Sequence, residues 1–434
     1  GGSNSTTRIV SYITRANYDY DNKYYLGASW RTDGSSRLAR ENRWGNFWSL
    51  SGAWRVSSES FMKPLQNWLS DLKLRVSYGV NGTLPSSYYG YMGLSSLTSN
   101  YNDNPGIKQS QLENKELTWE TTTQYNLGLD FGFFNNRISG SIDIYKAETR
   151  DILMNRVIPS INGYASVMEN IGKTESTGVD LTLSTVNIQN KNFSWFSDFS
   201  LSHNREKIKE LASGQLKDEA NAWFVGEPFK VFYDYKKEGI WQLGEEAAAA
   251  ANGQEPGDIK VQDVDGNGVI TTDDRIIYSQ RPDVTFGFNN TFNYKGFDLS
   301  VFLYARLGQW IAYDYNTTYR INALENGGNV DYWTPENPTN AFPRPNKSKS
   351  YTQVTYYSTL KYEDGSFFKI RDITLGYTFK PELLKHLNLS RLRVYATAKN
   401  FFTFSKIDNY DPEQGGSISF PMTKQLVFGL NVEF

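Results

Sequence analysis

Apolar and polar side chains alternate with a period of two along most of this chain. Leu72, Leu74, Val76, Tyr78 and Val80 are interleaved with Lys73, Arg75, Ser77 and Gly79. Tyr125, Leu127, Leu129 and Phe131 are interleaved with Gln124, Asn126, Gly128 and Asp130, and the same dyad covers 138–145, 179–184, 299–307 and 392–399. In the last stretch Leu426, Phe428, Leu430, Val432 and Phe434 alternate with Gln425, Val427, Gly429, Asn431 and Glu433. A strand sends successive side chains to opposite faces, so each stretch has one apolar and one mostly polar face. The pattern predicts an all-β chain of thirteen strands, near 9–20, 24–33, 46–56, 72–81, 119–132, 137–149, 174–186, 193–206, 283–294, 298–310, 366–379, 391–404 and 424–434.

The connections between these strands sort by parity. Odd-numbered ones are short: Asp21-Asn22, about 57–71, 132–136, 187–190, 295–297 and about 380–390. Even-numbered ones are mostly long, at 82–118, 150–173, 207–282 and 311–365, with shorter ones near 34–45 and 405–423. In an up-and-down meander the two sets lie on opposite sides of the sheet. Short turns on one side and long loops on the other is the arrangement of outer-membrane barrels. The expectation is therefore an antiparallel up-and-down transmembrane β-barrel, with Phe434 on the periplasmic side and Gly1 on the extracellular side. Bacterial single-chain barrels have an even number of strands, and an open thirteen-stranded sheet would expose two edges, which hydrocarbon does not tolerate; either the count is off or the sheet is incomplete. The closing strands are expected to belong to another piece of the protein, with Phe434 as the carboxy-terminus of the whole.

Composition changes this picture little. No run of 18 apolar residues occurs, which removes a transmembrane helix and leaves a barrel open. The 15% aromatic content suits interfacial girdles and equally an aromatic-rich soluble β-protein. With no cysteine there is no disulfide, thiol nucleophile or thiolate metal site. A net charge of −2 argues against a nucleic-acid partner held by bulk electrostatics.

One constellation carries chemistry. In 263–274, side-chain oxygens fall at loop positions 1, 3, 5, 9 and 12, from Asp263, Asp265, Asn267, Thr271 and Asp274. Gly268 holds position 6, Ile270 position 8, and Val269 would offer its carbonyl at position 7. Calcium takes six to eight hard oxygens, and this spacing wraps them around one point while the glycine permits the sharp turn. Asp274 stands where an EF-hand has a bidentate Glu, as in dockerin-type loops. The expectation is a structural Ca²⁺ site bracing the 207–282 loop; the alternative is an Asp/Gly-rich turn. Catalytic signals are weak. His203 and His386 lie far apart in sequence, and carboxylate pairs such as Glu245-Glu246 or Glu206 with Glu210 are common in solvated loops. No catalytic residue is assigned. Tyr88, Tyr89, Tyr91, Trp223, Trp241, Tyr313, Tyr315, Trp333, Tyr356 and Tyr357 sit in the long loops, as substrate contacts or as loop packing.

Several motifs in order resemble one family. Tyr24-Tyr25-Leu26 leads to Arg31-Thr32-Asp33-Gly34-Ser35-Ser36-Arg37, followed by Trp44-Gly45-Asn46-Phe47 and Ala53-Trp54-Arg55. Next come Leu72-Lys73-Leu74-Arg75-Val76-Ser77-Tyr78-Gly79 and the stretch from Trp119-Glu120 to Asp130. Asp364-Gly365-Ser366-Phe367-Phe368-Lys369-Ile370-Arg371, Asn400-Phe401-Phe402 and Tyr410-Asp411-Pro412-Glu413 complete the series. Together they resemble the carboxy-terminal half of SusC/RagA-type TonB-dependent transporters. The resemblance implies a plugged barrel of roughly 22 strands, of which this chain holds the last thirteen or so, without plug or TonB box. It implies an outer-membrane location in a Gram-negative bacterium. The implied partners are the amino-terminal half of the transporter, TonB, a SusD-like surface lipoprotein and outer-membrane lipid. The implied function is TonB-coupled import of an oligosaccharide or peptide. Other readings are a passive porin or structural barrel, and a soluble secreted carbohydrate-binding β-protein. Lumen-facing Arg75, Arg306, Arg393 and Lys399 are expected to touch the plug rather than the substrate.

Overall fold

The computed structural model describes residues 4–101, 104–159, 161, 163–164, 166–322, 327–384 and 388–434. Gly1 and His386 lie outside the described residues. Thirteen strands hydrogen-bond in one sheet in the order of the sequence. They are β1 Ile9–Tyr20, β2 Tyr24–Ser35, β3 Trp44–Arg55, β4 Leu69–Thr83, β5 Glu120–Phe133, β6 Ile138–Val157 and β7 Ser166–Gln189. Then follow β8 Phe193–Glu210, β9 Val284–Tyr294, β10 Phe297–Leu307, β11 Phe367–Thr378, β12 Arg391–Ser405 and β13 Gln425–Glu433. The recorded registers are antiparallel throughout.

By internal contacts the chain divides into two units, Gly1–Val186 with Phe199–Phe229 and Asn187–Asp198 with Lys230–Phe434. In the first unit, register aligns the dyads into rows. Leu26, Gly52, Val76, Leu127, Ile144 and Val179 form one row across β2 to β7. Four of its members are exposed, Leu26 at 61%, Val76 at 59%, Leu127 at 56% and Ile144 at 52%, and Val179 is half-buried. In the second unit Phe292, Leu299, Leu375, Ala396 and Phe428 line up in the same way. A soluble sheet would bury such a face. A contiguous exposed apolar face, with the strands between β1 and β13 paired on both sides, suits hydrocarbon.

The polar face satisfies itself by charge pairing. The Arg75 guanidinium lies between strands, with its Nε 2.9–3.0 Å from both oxygens of Asp130 and its two terminal nitrogens each 2.9 Å from an Asp143 oxygen. Gly128 is directly opposite Arg75 on β5, and a Cβ there would stand 2.5 Å from the guanidinium carbon. The missing side chain lets the fork lie flat over the middle strand and reach Asp143 on the far one. The second unit repeats the device, with Arg393 bonding both oxygens of Asp298 across Gly376. Lys399 pairs with Asp372 at 3.8 Å. Turn chemistry closes the short connections: Asp21 and Asn22 adopt φ of 55° and 51°, and Lys295-Gly296 adopts 48° and 95°, the left-handed values of tight hairpins.

Two expectations about the long connections need correction. The segment 150–173 is largely strand, because β6 runs on to Val157 and β7 starts at Ser166. Register shifts at Thr149/Ile152 and Ile152/Leu153 move the alternation out of phase, so a strict dyad ends there while the ladder continues. The segment 82–118 carries its own hairpin, Leu94–Tyr101 with Asn104–Gln111.

Arg75→Ala leaves two neighbouring carboxylates on the polar face and should lower the temperature at which the purified protein loses its folded gel mobility. We expect a loss of about 1–3 kcal/mol, below the full penalty for a buried pair because the site is partly open. Arg75→Lys should not restore it, since one ammonium cannot bridge both carboxylates as a fork does. Wild-type melting in Arg75→Ala would contradict this account.

Candidate functional site

Among the described residues, the two longest connections, 211–283 and 308–366, are folded. Within the second unit, their parts 230–283 and 308–366 share one apolar core of Ile240, Ile259, Val261, Trp333, Tyr357 and Leu360. Short antiparallel pairs build its frame: Val231–Tyr235 with Arg275–Ser279, and Lys237–Ile240 with Ile259–Val261. Polar contacts stitch the two connections together. The Trp333 indole donates to Gln242 Oε1 at 2.9 Å, the Ile240 N–H donates to Asn340 Oδ1 at 3.0 Å, and Arg344 meets Glu255 at 2.6 Å. Burial raises Glu363 above the usual carboxylate range, offset in part by Lys237.

The acidic loop 263–274 sits in this frame, leading into the Arg275–Ser279 strand. Carboxylate oxygens of Asp263, Asp265 and Asp274 lie within 4.8 Å of one another. Two oxygens on opposite sides of one calcium ion stand roughly 5 Å apart, from Ca–O distances of 2.3–2.6 Å, so the three fit a single ion. The loop is organised by its own amides. Gly266 and Gly268 donate to Asp263 at 2.8 and 2.7 Å, and Gly268 does so at a φ of 84° that favours glycine. Asp274 is fully buried and accepts Val264 and Thr271 N–H at 2.8 and 2.7 Å. Those amides, Thr271 first, hold its carboxyl below the ordinary aspartate value.

The side chains of Asn267 and Thr271 are also engaged within the loop. Asn267 spends its oxygen on the Val269 N–H at 2.8 Å and its amide nitrogen on Asp265 at 2.7 Å. The Thr271 hydroxyl caps the turn Thr272–Asp274. The geometry gathers Asp263, Asp265 and Asp274 at one point, with Asn267, Val269 and Thr271 in the same loop.

A second charged centre went unnoticed in the sequence, although both of its halves stand among the motifs quoted above. Lys369 on β11 is fully buried, and its Nζ lies 2.6 Å from Asp411 and 2.8 Å from Glu413. Arg371 meets Glu413 at 3.2 Å. Lys369 and Arg371, two residues apart, fall on one face of the strand and so meet one carboxylate, and both ladders of β11 skip Arg371, which shifts the alternation between Ile370 and Asp372. Asp411 caps the turn Pro412–Gln414, and Gly416, at φ 90°, packs against the Ala312 carbonyl, where a Cβ would stand at 2.2 Å. The centre thus pins the connection 406–424 to β11 and to the start of 308–366. The signal that could have exposed it was a lysine amid apolar residues in Phe367-Phe368-Lys369-Ile370, facing an Asp-Pro-Glu turn.

Most of the aromatic candidates are packing residues. Trp241, Tyr313, Trp333 and Tyr357 are buried, and Tyr91, Trp223, Tyr315 and Tyr356 pack against local cores. Tyr88 and Tyr89 are exposed, with Arg37 stacked over Tyr88 at 4.6 Å. Arg306 bonds Tyr304 at 2.8 Å and the Glu413 carbonyl at 3.4 Å. Glu245 binds Lys260 at 3.0 Å, and Glu246 takes the Gly244 N–H at 3.0 Å, both structural roles.

Comparison with known proteins places these features. Residues 2–401 match the family described as TonB dependent receptor-like, beta-barrel. TonB-dependent receptor P3 of Formosa agariphila is 32% identical over 99% of this chain and 46% of its own length. TonB-dependent receptor SusC of Bacteroides thetaiotaomicron is 32% identical over 98% of this chain and 44% of its own. The solved structure of the RagAB peptide transporter superposes with a TM-score of 0.81 at 28% identity, covering 99% of this chain and 48% of the matched one. The chain thus spans a little under half the length of the curated relatives it matches.

Two outcomes are expected here. Lys369→Met removes the cation between two buried carboxylates, at a cost of about 3–5 kcal/mol. It should release 406–424 to trypsin in the folded receptor, and an unchanged cleavage pattern would contradict the assignment. Because the Asp274 value is depressed, its stabilisation is complete above the ordinary aspartate pKa of about 4. It is lost as pH falls through the depressed value. Protection of the 263–274 amides, taken relative to the intrinsic exchange rate at each pH, should hold down to about pH 4 and fall below it.

Proposed function

Because the chain belongs to the TonB-dependent receptor-like β-barrel family, we propose that it forms the carboxy-terminal part of the barrel of a SusC-like transporter importing oligosaccharides or peptides. The protein is an outer-membrane β-barrel protein, so the soluble carbohydrate-binding reading is set aside. In the reading proposed here, transport is active and TonB-coupled, through a plug and TonB box carried by the amino-terminal half of the receptor. A SusD-like lipoprotein covers the extracellular mouth, where 211–283 and 308–366 would lie. No catalytic residue takes part, and no nucleic acid.

The observation that carries this reading is the pairing of an exposed apolar face with folded, cross-braced long connections. The first suits lipid, and the second suits a gated mouth better than an open pore. The match to a peptide transporter makes a peptide the first cargo to test, with an oligosaccharide second. The intact receptor, expressed in a strain lacking its own copy, should restore uptake of labelled oligopeptide or oligosaccharide. Disrupting TonB should abolish that uptake, while undiminished uptake without TonB would favour a passive porin.

Asp263, Asp265 and Asp274 are proposed to hold one structural Ca²⁺, supplemented by the Val269 carbonyl and water, and the convergence of three carboxylates supports this. Titrating chelator-treated intact receptor with Ca²⁺ should release heat at one site, lost in Asp263→Asn/Asp265→Asn. Absence of calcium binding to the wild-type protein would remove the site.

A further inference from the structure

We propose that the connection 56–68, between β3 and β4, is an interfacial lipid anchor seated in the headgroup layer at the short-turn rim of the barrel. This connection is folded. Val56 and Met62 turn in on Leu69 and are backed by Leu72 and Phe133, while Val56–Ser58 and Ser60–Leu65 form short 3₁₀ turns. With that core filled, the remaining large side chains face outward: Phe61 at 62% exposure, Leu65 at 37% and Trp68 at 45%.

Their position relative to the sheet identifies what covers them. Glu59 reaches onto the apolar face, where its carboxylate accepts the Tyr24 hydroxyl at 2.5 Å and the Trp54 indole N–H at 3.1 Å. Tyr24 and Trp54 are the first members of an apolar row that continues through Leu74, Leu129 and Ile142. Beside them Tyr20 stacks on Tyr24 at 6.5 Å. On the other flank Trp68 stacks on Phe133 at 5.8 Å, and the Phe134 N–H donates to the Trp68 carbonyl at 2.7 Å, leaving Phe134 52% exposed. The exposed side chains of 56–68 are therefore continuous with the lipid-facing surface.

Tryptophan and tyrosine favour the membrane–water boundary because each has an apolar ring and a polar donor. Here the Tyr24 and Trp54 donors are satisfied by Glu59, which needs the wet side of that boundary for its charge. Lys63, exposed in the same turn, has the stem length to place its ammonium among phosphates while its methylenes stay in the apolar layer. The occupant fitted by this set is the glycerol–phosphate layer of the leaflet at that rim.

The chain has no cysteine, so single cysteines at Phe61, Leu65 and Trp68, in an otherwise cysteine-free intact receptor, can carry an environment-sensitive fluorophore. Reconstituted in vesicles, all three should emit blue-shifted light. Lipids labelled near the headgroup should quench them more than lipids labelled at mid-chain, and aqueous iodide should quench them weakly. The same probe at Asn22, in the neighbouring exposed turn, should be quenched by iodide. Iodide quenching at 61 and 68 as strong as at 22 would overturn the proposal. So would dominance of the mid-chain quencher, or shielding from iodide and lipid alike, which would indicate a protein partner.

Discussion

Backbone amides cannot be left unpaired in hydrocarbon, and the whole architecture answers to that constraint. Each strand interior is satisfied only by its neighbours, so the ladder has to be continuous and the side chains have to alternate between lipid and interior. The polar face then has to neutralise itself. It does so with Arg75 across Gly128 and Arg393 across Gly376, where the glycines open a flat path for the fork. Among the described strands β1 pairs with β2 and β13 with β12, so one edge of each still needs a partner in hydrocarbon. In the function proposed, other strands of the same receptor supply those partners.

The same constraint explains why the fold was so legible. Lipid-facing alternation leaves little freedom in the spanning segments, and strand positions such as Ile9–Tyr20 and Arg391–Ser405 follow from the dyad almost residue by residue. Legibility fails where the constraint relaxes. Above the spanning region β6 and β7 continue through bulges at Thr149 to Leu153, where a period of two is no longer kept. Beyond that the connections build ordinary water-facing cores, whose partners are distant in sequence. Ile240 with Trp333, and Lys369 with Asp411, are pairs that no local pattern announces. The acidic loop was visible because its geometry is local: eleven positions separate Asp263 from Asp274, and the loop's own amides close it.

The rim that results is more rigid than its loop lengths imply. The core around Ile240 and Trp333 joins two connections, and Lys369 and Arg371 fasten a third through Asp411 and Glu413. In the function proposed, a mouth that opens and closes would need elements that move as bodies, and pre-folded connections would provide them.

The central claim is that one face of each strand meets lipid and the other does not. Lipid-edited solid-state NMR on the intact receptor in bilayers tests it directly, by transfer of magnetisation from acyl chains to individual residues. Leu74, Val76 and Leu127 should receive it strongly, while Arg75, Ser77 and Asn126 between them should show contacts to water. Water contacts at Leu74 and Val76, or acyl-chain contacts at Arg75, would contradict the account.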